Sequence, residues 1–238
     1  MSEIFFRTEM LIGEEGLNKL SRSHIAVFGI GGVGGYVVEA FARCGVGSLT
    51  IIDNDTVALS NLNRQIIATH NTIGRLKTDV MKERILSINP DANVITSNSF
   101  FLPENSNEFD FTQYDYIVDA IDTVTGKIEI IVKAQKDNIP VISCFGTGNK
   151  LDPKQLKIDD VYNTSVCPLA KVMRQELRKR NVEKLKVLYS TEPPITPVGK
   201  AQDSNRRATP GSVSFVPSVA GLIIAGEVIN EIINRQNF

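Results

Sequence analysis

Gly29-Ile30-Gly31-Gly32-Val33-Gly34-Gly35 sets glycines at the G-x-G-x-x-G spacing. It follows an apolar run, HIAVFGI at 24–30, and precedes a stretch with Val33, Val37, Ala40 and Phe41 at helical spacing. Glycines there permit a tight turn and let backbone N–H groups approach a phosphate, which the dipole of the next helix favours. Gly29, Gly31, Gly32 and Gly34 are therefore candidate nucleotide-binding positions. Asp53 closes the next apolar run, SLTII at 48–52, where a carboxylate can bind ribose hydroxyls, and Asp55 stands close behind it. The loop alone does not choose among NAD, FAD and ATP, all of which present ribose and phosphate.

The polar groups further along narrow the choice. SNLNRQ at 60–65 carries Asn61 and Arg64, GRLK at 74–77 ends on Lys77, and DAID at 119–122 ends on Asp122. A dehydrogenase needs no guanidinium and ammonium beside the phosphates after its second strand. Nucleotidyl transfer does, because charge builds on the α-phosphate and on the departing pyrophosphate. Arg64 and Lys77 can neutralise that charge, and Asp122, at the C-terminal end of a strand, can hold Mg²⁺. ATP with Mg²⁺ is the expected pair. An NAD-dependent oxidoreductase is disfavoured by Arg64 and Lys77, and a non-catalytic nucleotide-binding partner protein is a further rival.

The elements that must carry these groups follow from the apolar periodicity. Strands are expected at 24–30, 48–52, 94–95, 116–121 and 140–145, with helices at 33–44, 76–88 and 125–136 between them. That alternation predicts an α/β fold, Rossmann-like and doubly wound, with a mostly parallel sheet covered on both faces. After about 150 the rhythm changes. Strands at 156–161 and 185–189 flank a charged helix at 168–180, a Pro- and Gly-rich loop at 190–212 should be mobile, and a helix at 217–234 closes the chain. Residues 1–150 are the expected ATP-binding core, and 151–238 a substrate-facing extension within the same structural unit.

The chain has 238 residues, 26 Lys+Arg against 27 Asp+Glu, and a formal charge of −1, which excludes a uniformly basic nucleic-acid coat but not a local patch. One such patch is 171–186, where Lys171, Arg174 and Arg178 are expected to face outward from a helix docked through Leu169, Val172, Met173 and Leu177. Arg206-Arg207 adds a second basic point. The apolar stretch 213–233 is broken by Pro217, Ser218, Glu227 and Asn230, so it reads as a core helix rather than a membrane span. With no secretory signal at the N-terminus, a cytoplasmic protein is expected.

The three cysteines, Cys44, Cys144 and Cys167, are too scattered for a disulfide framework or a four-thiolate zinc site. Cys44 and Cys144 read as small apolar residues, and Cys167 as a partly buried residue opening the charged helix, with a loop nucleophile as its alternative. His24 is expected as a solvated edge residue, His70 as packing for the triphosphate loop, and Phe100 and Phe101 as core.

GxGGVGxx, DxDxVxxSNLNRQ, GxxK and DAID, in that order over 7–149, resemble the ubiquitin-activating-enzyme-like (ThiF/MoeB/HesA) superfamily. The resemblance implies that Gly31 lies under the phosphates, that Asp53 binds the ribose, that Asn61, Arg64 and Lys77 bind the triphosphate, and that Asp122 holds Mg²⁺. It also implies that Arg7, in FFRTEMLIG, reaches into the site of a partner subunit, hence a homodimer. The sulfur-carrier adenylyltransferases of that superfamily typically hold zinc through two C-x-x-C pairs, which are lacking here, so zinc is not expected. FFRTEMLIGEEGLNKL, YDYIVDAIDTVTGK, GTGNKLDP and TSVCPLAKVMRQELRKR are similar to bacterial tRNA threonylcarbamoyladenosine dehydratases. That family implies ATP-dependent adenylation of a carboxylate on tRNA, then ring closure with loss of AMP. The alternative is adenylation of the C-terminus of a small ubiquitin-like sulfur carrier. The sequence leaves open a monovalent cation site and a partner from a cysteine desulfurase sulfur-transfer system.

Overall fold

The computed structural model describes residues 3–198 and 210–234. The chain opens on a helix that apolar periodicity did not announce, α1 (Phe6–Arg22). Gly13 sits inside it with φ of 72°, a left-handed kink that interrupts the helical pattern. Beyond the kink, Leu20 enters the core.

The nucleotide-fold rhythm then appears as expected: β1 (His24–Phe28), α2 (Gly34–Cys44), β2 (Ser48–Ile52), α3 (Lys77–Ile88), β3 (Asn93–Ser97), β4 (Tyr116–Asp119), α4 (Val124–Lys136) and β5 (Val141–Cys144). β6 (Leu156–Asp160), α5 (Pro168–Arg178), β7 (Lys186–Ser190) and α6 (Phe215–Asn234) complete it. The seven strands form one sheet in the order β3-β2-β1-β4-β5-β7-β6. All neighbours pair in parallel except β6 with β7. The interior parallel strands are buried on both faces because helices cover both sides, whereas β3, at the edge, is partly exposed.

Register decides where the chemistry can sit. Phe28, Ile52 and Asp119 lie side by side at the C-terminal ends of β1, β2 and β4. The glycine loop, Asp53 and the DAID segment therefore emerge at one edge, where the strand order switches about β1 and ligands bind in open α/β sheets.

α6 is long and apolar enough by composition to cross a membrane, yet Ala220, Ile224, Ala225, Val228 and Ile232 are buried in the main core. It packs on α2 and α1. Gly221 allows that contact: a Cβ there would lie 2.5 Å from the Val33 carbonyl oxygen. A second cluster, with Phe145, Met173, Leu177 and Val187, fills the space under α5. A third gathers Phe28, Phe101, Phe109 and Phe111 on the other face of the sheet.

Part of the expected mobile loop 190–212 is held. Glu192 is buried and its carboxylate accepts from the Leu151 and Asp152 amides. The Ile195 amide donates to the Asn149 carbonyl, and the Gly211 amide to Asn149 Oδ1. Residues 199–209, with Arg206-Arg207, lie outside the described residues.

Candidate active site

A cleft of about 640 Å³ opens at the C-terminal ends of β1, β2, β4 and β5. It is lined by the glycine loop, by Asp53, Asp55, Asn61, Arg64 and Lys77 on one side, and by Asp122, Thr123 and Gly146–Gly148 on the other. The sequence-expected nucleotide residues Gly29, Gly31 and Gly32 thus converge with the charged groups. Gly34 does not line the cleft; it closes the turn, because a Cβ there would lie 1.8 Å from the Gly29 carbonyl oxygen.

Asp53 is the hub of the loop. Its Oδ2 accepts from the Ile30 amide at 2.7 Å and its Oδ1 from the Asp55 amide at 2.9 Å. Lys77 opens α3, is buried, and donates to Asp55 Oδ2 at 2.7 Å with Asp53 Oδ1 at 3.8 Å. Asn61 Oδ1 accepts from the Ala58 amide at 3.0 Å, which locks the turn before Arg64. One guanidinium nitrogen of Arg64 donates to the Ser60 carbonyl and to Asn63 Oδ1, each at 2.9 Å. Two buried polar atoms on the cleft wall have no protein partner, Gln65 Oε1 and Thr123 Oγ1. Neither was singled out from the sequence, although Gln65 directly follows Arg64. A backbone cradle, two cations, an exposed carboxylate at Asp122 and unpaired polar atoms fit a nucleoside triphosphate.

Other expectations change. β1 is an interior strand, so His24 is not a solvated edge residue. Its ring is half-buried, hydrogen-bonded to Thr50 Oγ1 at 2.8 Å and edge-on to Tyr114. Burial pushes its pKa below the ordinary 6.5, with Asp115 opposing. His70 is exposed rather than buried in the loop. Phe101 is core, but Phe100 is 45% exposed and lines the cleft. Cys144 reaches the cleft wall, where burial pushes its thiol up to about 12, so it stays protonated. Cys167 is buried at the start of α5, its Sγ 2.8 Å from where a Gly146 Cβ would lie.

The basic stripe is smaller than expected. Arg174 does not face outward: its guanidinium donates to the Thr164 carbonyl at 2.9 Å and to Thr164 Oγ1, back against its own fold. Lys179 and Arg180 pair with Glu176, and Lys186 with Glu227 and Glu231. Val172 is exposed, so the docked face is Leu169, Ala170, Met173 and Leu177. Lys171 and Arg178 are exposed, with the Arg178 guanidinium 5.0 Å from the Tyr162 ring centroid. Arg7 is exposed on α1 and does not line the cleft of its own chain.

A doubly wound sheet with a glycine cradle and paired cations at its switch point defines a nucleotide-binding α/β protein of the adenylating kind. The chain belongs to the ThiF family, whose sequence profile matches residues 6–238. It is 42% identical over 96% of its length to the tRNA threonylcarbamoyladenosine dehydratase of Bacillus subtilis, covering 94% of that protein. The Escherichia coli tRNA N6-threonylcarbamoyladenosine dehydratase, solved in complex with ATP, superposes with a TM-score of 0.88 at 32% identity, covering 97% of this chain and 93% of that one. An adenylyltransferase and sulfurtransferase of Vanderwaltozyma polyspora is 30% identical over 95% of this chain, but the match covers only 46% of its own length.

Proposed function

We propose that this protein is an ATP-dependent tRNA-modifying enzyme that adenylates the carboxylate of threonylcarbamoyladenosine and closes it into a ring with loss of AMP. The observation that carries this reading is likeness over nearly the full length of both chains to the dehydratases. The sulfur-carrier alternative rests on relatives that the chain matches over less than half their length.

The residues present divide the work. The glycine loop holds phosphate oxygens through backbone N–H groups, and Asp53 fixes that loop while facing the ribose. The substrate carboxylate attacks the α-phosphorus and pyrophosphate departs. Arg64 and Lys77 neutralise the charge that builds on the phosphates, and Asn61 and Asp55 hold the two cations' surroundings in place. The carbamoyl group of the same side chain then attacks the acyl carbon and AMP leaves. That nucleophile is already tethered beside the activated carbonyl, so proximity supplies the rate and no thiolate is required. The protonated Cys144 and the buried Cys167 accord with that route. No three Asp, Glu, His or Cys side chains gather as a metal site among the described residues. Mg²⁺ would therefore be held by the Asp122 carboxylate with phosphates and water, a usual arrangement for this ion, and would supply charge neutralisation.

Lys171 and Arg178, both exposed on α5, would contact tRNA phosphates. A homodimer would bury the exposed apolar side chains of the N-terminal segment, Phe6, Met10 and Leu11, and bring Arg7 to a partner's cleft.

The test is incubation with ATP and tRNA from cells lacking the protein, followed by nucleoside mass analysis. AMP release with loss of one water from the modified adenosine is expected. AMP formation only with a Gly-Gly-ended carrier protein would overturn the reading.

A further inference from the structure

Directly beneath the cleft floor lies a charged cluster with no part in the roles above. Asp119 ends β4, Ser143 is its register partner on β5, and Lys127 lies in the second turn of α4. All three are essentially inaccessible, at 0%, 0% and 1% exposure. Lys127 Nζ donates to both carboxylate oxygens of Asp119 at 3.1 Å and to Ser143 Oγ at 3.3 Å, which uses its three protons. The Ser143 hydroxyl donates to Asp119 Oδ2. The remaining capacity of Asp119 Oδ1 goes to the backbone, accepting from the Ile121 amide at 3.3 Å.

The cluster thus straddles Ala120, Ile121, Asp122 and Thr123, all four of which line the cleft, as does Lys127 itself. The same segment braces the glycine loop, since a Cβ on Gly29 would lie 2.8 Å from the Ala120 carbonyl oxygen. A buried ion pair is a weak source of stability, because desolvation offsets the attraction, and an apolar pair of similar volume often serves as well. What an apolar pair lacks here is an acceptor for the Ile121 amide.

We propose that Asp119, oriented by Lys127 and Ser143, is a positioning residue that sets the 120–123 backbone and so places Asp122 for the chemical step. The proposal rests on the adenylating reading given above. Ser143 acts through Asp119, and so does Lys127, whose ammonium is fully engaged by Asp119 and Ser143 although the residue also lines the cleft.

Two paired substitutions separate the charge from the acceptor. Lys127→Met with Asp119→Leu removes both, whereas Lys127→Met with Asp119→Asn removes the charges but keeps an oxygen for the Ile121 amide. Both leave no unpaired charge and should melt cooperatively. With saturating tRNA, the Leu variant should lose kcat by on the order of ten- to hundredfold, as for a small misplacement of reacting groups. Its KM for ATP should stay near the wild-type value, and the Asn variant should recover most of the loss. Amide hydrogen exchange at Ile121 should be fast in the Leu variant and protected in the Asn variant. Equal kcat in the two variants, or a loss confined to KM for ATP, would overturn the proposal. Should the Leu variant fail to fold, Ser143→Ala against Ser143→Thr makes the same comparison: a drop in kcat recovered by the retained hydroxyl supports it, and no difference rejects it. If the wild-type enzyme forms no AMP with tRNA, the functional reading fails, while exchange at Ile121 still decides the positioning claim.

Discussion

Lys77 is a buried ammonium caught between two carboxylates, Asp55 at 2.7 Å and Asp53 at 3.8 Å. In the proposed reaction, phosphate oxygens entering the cleft would compete with those carboxylates for it. Lys77→Ala therefore removes a cation and also leaves two anions unscreened where a triphosphate must sit. The rate of AMP formation should fall by on the order of a hundredfold or more. Wild-type kinetics in a quenched-flow assay of that variant would remove Lys77 from the mechanism. At this scale the sequence was informative wherever a role depends on spacing along the chain. Gly29, Gly31, Gly32, Asp53, Arg64, Lys77 and Asp122 all reached one cleft. The Asp119–Lys127–Ser143 cluster was not legible, because its closest contact joins residues 24 positions apart through sheet register. Gln65 and Thr123 stand out only once their unpartnered atoms are located on the cleft wall.

Helix α5 shows where an element's sequence misleads. Its one-dimensional charge pattern predicts a stripe of cations, but neutralisation happens in three dimensions. Glu176 lies one turn from Lys179 and Arg180, and Thr164 captures Arg174 from outside the helix. Lys186 is taken by Glu227 and Glu231, 41 and 45 residues away. Arg174 should thus behave as a stabilising clip. Arg174→Ala is expected to cost about 1–3 kcal/mol of fold stability, the usual penalty when partly buried acceptors lose a charged donor. Chemical denaturation measures that, and an unchanged midpoint would return Arg174 to the surface stripe. Lys171→Glu combined with Arg178→Glu should leave stability intact, weaken tRNA binding and flatten its salt dependence. Unaltered binding would move the RNA surface elsewhere. Helix α1 was missed for a related reason. The left-handed Gly13 breaks its periodicity, and the chain supports the helix from a distance, through Leu20 in the core and a Lys19 bond to the Ile233 carbonyl at 2.9 Å.

For the whole molecule, the strand-and-helix rhythm of the first 150 residues was readable because β1, β2, β4 and β5 are mostly apolar runs between helices. The place of the last two strands was not, since nothing local says that β7 inserts beside β5 and leaves β6 at the edge. The proposed homodimer makes a prediction at this scale. Arg7→Ala and Asp122→Ala chains should each be inactive, yet equal mixtures should recover about a quarter of wild-type activity. Half of the pairs formed are mixed, and each mixed pair contains one intact site, as a two-fold arrangement requires. No recovery after subunit exchange would show that Arg7 does not act across the interface. The double anchorage at Asn149, which receives the chain at Ile195 and again at Gly211, has a consequence for how such proteins can diversify. Ile195 and Gly211 are fastened at one residue, so the distance between them does not depend on how many residues join them. Doubling a tethered loop adds only about 0.6 kcal/mol in closure entropy. This is the place where a natural insertion, an affinity tag or a whole reporter module could be accommodated while the nucleotide cleft keeps its shape.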